Sequence, residues 1–395
     1  MQLSWPNSNP SQRFITSLVQ AGTAIVASVV LPLLSLSSAN ANVTYSTLNY
    51  PQAEPDGSTF LTGIRANSTD GVYMTGLYLP PNGNSTQGLF YSGSLEGVGD
   101  WHLVNFPDYL GGTVTSTAMY GPDNSNGVDS IRAVGSYKTT ETGAYDLGLL
   151  YDGPLDGSGS WQTLDAKDLN PNALNTIAHS TNGGLVVGNY DINLIAGKAF
   201  IYDINQQQWW DFNPIGASSI TAYGIWHNGG SSYTIAGGYS NAPSFSGLDQ
   251  GYLADWDAAS QSVIRWRSYN YNNQPITSLV SHFDGITGDG NGGYTLTGDW
   301  VGVGASNGLG FFAQVSRNPL GGFGEAQWTQ INYPNSTVTS GNSVFENVVI
   351  GVYTDDQAGV NGYVATVVVP EPSTIGGALL FSLFLLKRSR SGKPD

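Results

Sequence analysis

Short runs of alternating apolar and polar residues, rich in Val, Ile, Thr, Tyr and Trp and bounded by Gly, Asn, Asp and Ser, fill residues 45–369. That period predicts β-strands joined by tight turns, and no long 3.6-residue apolar stripe interrupts it. The runs repeat. An aromatic residue, an apolar residue three places on and Asn or Asp one place later open the segments at Tyr45, Trp101, Trp161, Trp209, Trp266 and Trp328, with spacings of 56, 60, 48, 57 and 62 residues. A second segment recurs between them, apolar residues around a central glycine (Gly76, Gly135, Gly188, Gly237, Gly298, Gly351) closing on Tyr or Trp. A third follows each of these, at 88–91, 148–151, 198–202, 251–255, 310–313 and 362–365. A weaker fourth precedes the second, clearest at 62–64, 223–225 and 284–286.

Four strands per unit and six units of about 55 residues predict an all-β fold, a six-bladed β-propeller of four-stranded blades, rather than a linear solenoid. The last unit supplies only three strands and ends at Val369. The leading copy at 45–51 supplies the fourth by pairing with 362–368 and closing the ring, which removes a free sheet edge. The glycine of the second segment is expected where backbones approach closely.

The ends have a different pattern. Residues 1–41 carry Arg13, an apolar stretch from Ala21 to Leu36 and the small triplet Ala39-Asn40-Ala41, the layout of a secretory signal peptide cleaved after Ala41. Residues 370–395 follow the propeller. Ile375 to Leu386 would span about 18 Å as a helix, short against a hydrocarbon core of about 30 Å. The order Val369-Pro370-Glu371-Pro372, then this apolar helix, then Lys387, Arg388 and Arg390, resembles the PEP-CTERM sorting signal of exosortase substrates. The resemblance implies a tail held transiently in the inner membrane with its basic cluster inside. It also implies cleavage by an exosortase-type membrane protease and delivery to the cell surface or extracellular matrix, often alongside exopolysaccharide. The repeats resemble HAF-type extracellular repeats. That likeness identifies no active residues.

Composition narrows the partners. A net charge of −16 repels nucleic acid, and the absence of cysteine excludes disulfides and thiolate chemistry. The four histidines, His102, His179, His227 and His282, sit at unmatched offsets, so one shared metal ring is not expected. No cofactor is expected either. Glycine-rich acidic stretches at 152–160 and 284–293 carry oxygen donors suited to calcium but lack EF-hand spacing, and turn formation accounts for them. Asp156 before Trp161 and Glu96 before Trp101 resemble part of the Asp box of sialidase-like propellers, a scaffold feature. The five arginines of the repeats, Arg65, Arg132, Arg265, Arg267 and Arg317, occupy unmatched positions, and no carboxylate pair stands out for glycoside hydrolysis. The sequence therefore predicts an exported, non-enzymatic surface or matrix protein binding polysaccharide or an envelope protein. The surface expected to do this is an acidic face carrying Glu141, Asp146, Asp191, Asp249, Asp299, Asp355 and Asp356 with Tyr145 and Phe245. The alternative is a carbohydrate-active hydrolase on the same scaffold.

Overall fold

The computed structural model describes residues 42–368 except positions 54–55, 68–70, 82, 84, 109–111, 125–129, 194–195, 242–249, 275–277, 303–304, 306 and 357–358. The signal-peptide residues Ala39 and Ala41 lie outside the described residues, as do Val369, Pro370, Glu371, Pro372, Lys387, Arg388 and Arg390 of the sorting tail. Among the described residues no helix is long and apolar enough to cross a membrane.

The described strands form six four-stranded antiparallel sheets, the blades of a β-propeller. Blades 1 to 5 take their strands in chain order from 58–104, 114–164, 175–212, 219–269 and 278–331. Blade 6 combines 338–368 with Asn42–Thr47, which lies outermost against Asn361–Val368. Tyr45 pairs with Ala365 and Thr47 with Tyr363, and the Leu48 N–H donates to the Gly362 carbonyl at 2.9 Å. The expected clasp is present, shifted toward the amino terminus: the strand begins at Asn42, and Asn49 to Pro51 turn away from the sheet.

Each recurring segment has a physical reason. The aromatic residue of each outer strand packs on an aromatic ring of the third strand. Ring centroids are 4.7 Å apart for Tyr91–Trp101, 4.5 Å for Tyr151–Trp161, 4.7 Å for Tyr202–Trp209, 4.3 Å for Tyr252–Trp266 and 4.9 Å for Phe311–Trp328. Such pairs contribute both buried area and favourable ring geometry. The motif glycines face the backbone of their own blade's first strand. A Cβ on Gly298 would lie 2.0 Å from the His282 carbonyl oxygen, and the other five would meet the equivalent carbonyl at 1.8–2.2 Å. The core lies between adjacent blades, as where Phe283 and Phe311 of blade 5 pack with Ala236 and Leu253 of blade 4.

One irregularity recurs in every blade. The first strand shifts register opposite the motif glycine or one residue beyond it, so Thr62, His179, Tyr223, Asp284 and Asn342 are left without a partner in the ladder. Blade 2 shifts between Tyr120 and Asp123. A bulge re-aims the residue it frees, and here freed side chains bridge neighbouring blades. The Thr62 hydroxyl donates to the Met119 carbonyl at 2.6 Å, and the Asn342 amide donates to the Leu61 carbonyl at 2.7 Å.

Candidate functional site

The bulges gather titratable groups where the first strands converge. On the first strand of blade 5 (Ser278–Gly288), Phe283 packs into the core toward blade 4, so His282 projects to the opposite side, directly across from Asp299 on the neighbouring strand (Tyr294–Gly302). Asp284, freed by the bulge, approaches the same imidazole, with Oδ1 3.3 Å from His282 Nε2. One ligand atom from each of His282, Asp284 and Asp299 falls within 4.8 Å of the others. Asp299 is fixed by blade 6. Its carboxylate accepts from the Gly341 N–H and from the Ser340 hydroxyl, both at 2.9 Å.

Two more rings extend the site across blades 3 and 4. The Tyr223 ring lies edge-on to His179 at 4.6 Å between centroids and 5.3 Å from His282. His179 Nε2 is 2.6 Å from the Asn189 side-chain oxygen, which can only accept, so Nε2 carries the proton. Burial pushes the His179 pKa down to about 4, leaving a neutral imidazole, and pushes the Tyr223 phenol upward. Burial alone would also depress His282, but the carboxylates of Asp284 and Asp299 outweigh it and its pKa is raised. Asp284 is raised by burial, against the pull of His282. Asp299 is raised to about 7, first by burial and then by the charge of Asp284, against His282 and the two blade 6 hydrogen bonds. The arrangement sets an imidazole between two carboxyl groups, all three with raised proton affinity, and Asp299 is poised to hold or release a proton near neutral pH. Asp284 keeps 16% of its side chain accessible, against 4% for His282, so solvent reaches the acidic side.

Several expectations are corrected by these positions. Comparing the histidines only with one another missed the cluster, because the partners of His282 are aspartates. Asp284 and Asp299 do form a carboxylate pair, although they are 15 residues apart in sequence and unremarkable in composition. The available signal was alignment on the motif glycine. The position after it holds Leu77, Ser136, Asn189, Gly238, Asp299 and Val352, and blade 5 alone has an acid there. Asp299 is thus a strand residue and not part of a binding loop. Asp146 is likewise buried, 3.0 Å from the Ser136 hydroxyl and 3.5 Å from Lys138. Tyr145 is exposed as expected, while Asp249 and Phe245 lie outside the described residues.

Of the glycine-rich stretches, 284–288 is strand. Asp289 uses its carboxylate within its own turn, accepting from Asn291 and Gly293 N–H groups at 2.7 and 2.8 Å. Asp156 similarly accepts from Ser158 N–H, and Trp161 Nε1 donates to the Gly157 carbonyl, a braced hairpin. His227 is remote in role, its Nε2 donating to the Gly230 carbonyl at 2.9 Å and its ring stacking on Tyr233.

No family model and no curated protein matches the chain. Solved structures share the fold. A puromycin hydrolase S511A mutant aligns at 10% identity over 80% of this chain and 44% of its own, with a TM-score of 0.41, so the chain spans less than half of that protein. The α-L-arabinofuranosidase Arb93a of Fusarium graminearum, as its E242A mutant, aligns at 13% identity over 78% of this chain and 92% of its own, with a TM-score of 0.40. The Penicillium chrysogenum α-L-arabinanase complexed with arabinobiose aligns at 14% identity over 82% and 97%, with a TM-score of 0.39. At these identities the likeness is one of fold. The expectation that the chain is not an enzyme is withdrawn, because it rested on no carboxylate pair standing out and Asp284 and Asp299 do converge beside His282. What identifies this chain is its architecture: an all-β, six-bladed propeller of four-stranded blades closed by its amino-terminal strand.

Proposed function

We propose that this chain is an exported envelope or matrix protein that hydrolyses polysaccharide at the centre of its propeller. The observation that carries this reading is the convergence of Asp284 and Asp299 beside His282, with ligand oxygens within 4.8 Å. Glycoside hydrolysis needs two carboxyl groups in different protonation states, and retaining enzymes hold them about 5–5.5 Å apart. In this reading Asp299 donates its proton to the departing glycosidic oxygen while Asp284, in its ionised form and paired with His282, attacks the anomeric carbon. Water then releases the sugar from Asp284, giving its proton to Asp299. The exported location rests on the leader at 1–41, and delivery to the surface on an exosortase-type protease acting at Pro370-Glu371-Pro372.

The test is reducing-end release by the full-length protein from a panel of extracellular polysaccharides. Asp284→Asn and Asp299→Asn should each lower release by about 100-fold or more. Undiminished release by both variants, or none by the wild type from any polysaccharide, would defeat the proposal. The same convergence supports a second reading, a divalent cation held by His282, Asp284 and Asp299, whose mixed nitrogen and oxygen donors suit manganese or zinc. Adding Mn²⁺ or Zn²⁺ to EDTA-treated protein would then raise the melting midpoint of the wild type but not of Asp299→Asn.

A further inference from the structure

The arginines that look scattered in sequence are not scattered in space. Three of the five in residues 42–368, Arg265, Arg267 and Arg317, meet where the outer strand of blade 4 (Ser262–Tyr269) faces the hairpin at 317–323 of blade 5. A cleft of ≈ 350 Å³ lies there, lined by Arg265, Arg267, Asn318, Leu320, Gly322 and Phe323. It sits toward the ends of the blades that carry the third-to-fourth hairpins, away from the second-to-third ends near Asp299.

The three guanidinium groups are not equivalent. Arg317 is structural: it forks onto Asp255 with Nη1 at 2.6 Å and Nη2 at 2.7 Å, donates to the Tyr294 hydroxyl at 2.6 Å and lies over the Phe323 ring. That bidentate pairing uses both oxygens of Asp255. Arg265 therefore meets a carboxylate already engaged, at 3.6 Å, and keeps 43% of its side chain exposed. Arg267 is positioned by donating from Nη1 to the Phe323 carbonyl at 2.8 Å, and its other nitrogen reaches Glu325, itself 69% exposed at the surface. Three cations thus face two carboxylates, a positive focus on a chain of net charge −16. Beside it Leu320 is 89% exposed, an apolar lip next to the charged floor.

We infer that this cleft binds a carboxylate-bearing polysaccharide, a uronate chain. A guanidinium fork matches a planar carboxylate bidentately. The lip accepts the apolar C–H face of the same sugar ring, a combination that an acidic peptide side chain does not present on one rigid unit. A cleft of this size falls in the range of small-ligand sites. The inference rests on the proposed polysaccharide function for its ligand class, but it concerns a different site. It is therefore tested by binding and not by hydrolysis.

The experiment is calorimetric titration of the full-length protein with hexagalacturonate, with neutral hexagalactose and poly-glutamate as comparison ligands. Hexagalacturonate should bind with an affinity that falls as salt rises, and hexagalactose should bind at least about tenfold more weakly. Arg265→Gln and Arg267→Gln should each weaken hexagalacturonate binding about 10-fold or more. Arg265→Lys, which keeps the charge and loses the fork, should fall between Arg265→Gln and wild type. Arg132→Gln, outside the cleft, should bind as wild type does. Because Arg265 lies at the surface and only flanks the Arg317–Asp255 pair, its variants should keep the wild-type melting midpoint, which separates lost binding from lost folding. No hexagalacturonate binding by wild type, equal binding of poly-glutamate, or an equal loss in Arg132→Gln would overturn the inference. Asp284→Asn with Asp299→Asn should leave this binding intact, so a silent centre and a silent cleft are distinguishable failures.

Discussion

Asp299 illustrates how one residue's chemistry depends on neighbours the chain brings from far away. Its carboxyl is raised from the ordinary range to about 7 by burial and by Asp284. A carboxyl with a raised folded-state pKa binds more protons folded than unfolded between about pH 4 and pH 7, so stability declines as pH rises through that window. His282, also raised, contributes stability below its unfolded pKa that is lost as pH climbs through the folded value. Both groups make the centre of EDTA-treated protein more stable on the acidic side. Asp299→Asn should therefore raise the midpoint of urea unfolding at pH 8 and change it little at pH 4. A variant equally stable or less stable at pH 8 would contradict the assigned protonation. His282 and Asp284 lie two residues apart in the chain. Asp299 joins them only through strand pairing, so its role was not legible.

At the scale of the element, the recurring unit is a bulged first strand pressed against a glycine. In blade 5 the His282 carbonyl occupies the space that any larger residue at 298 would need. Gly298→Ala must push the two strands apart just where the bulge aims Asp284, and should cost about 3 kcal/mol in denaturant unfolding. Gly143 makes the comparison. It sits at φ +60° with nothing within 4 Å of its absent Cβ, so Gly143→Ala should cost only about 1 kcal/mol of left-handed strain. Equal losses at both sites would show that backbone conformation, not close approach, selects the motif glycine. The repeated glycine was readable as a sign of crowding. The bulge was not, because one extra residue in a strand leaves the alternation of apolar and polar positions nearly unchanged.

The whole molecule is closed by six residues. Asn42–Thr47 completes blade 6, Val43 and Tyr45 pack with its core, the Tyr45 hydroxyl accepts from Asn332 N–H at 3.0 Å, and Thr47 bonds to the Tyr333 and Tyr353 hydroxyls at 2.7 and 2.9 Å. Excising 42–47 should expose the edge of Asn361–Val368, lower the melting midpoint by roughly 5–10 °C and promote association visible by light scattering. An unchanged midpoint and a monodisperse product would mean that the ring does not depend on its clasp.

Architecture was therefore the sequence's to determine. Strand period, repeat length, the motif glycine and the sixth copy of the outer strand displaced to the amino terminus are sequence features, and each is visible in one dimension as a repeated local pattern. The chemistry was decided by tertiary structure. Asp284 meets Asp299 across a sheet and Arg265 and Arg317 reach the same Asp255 from two blades, and carboxyl and guanidinium groups take their protonation and their partners from distances in space, which the linear order of residues does not specify.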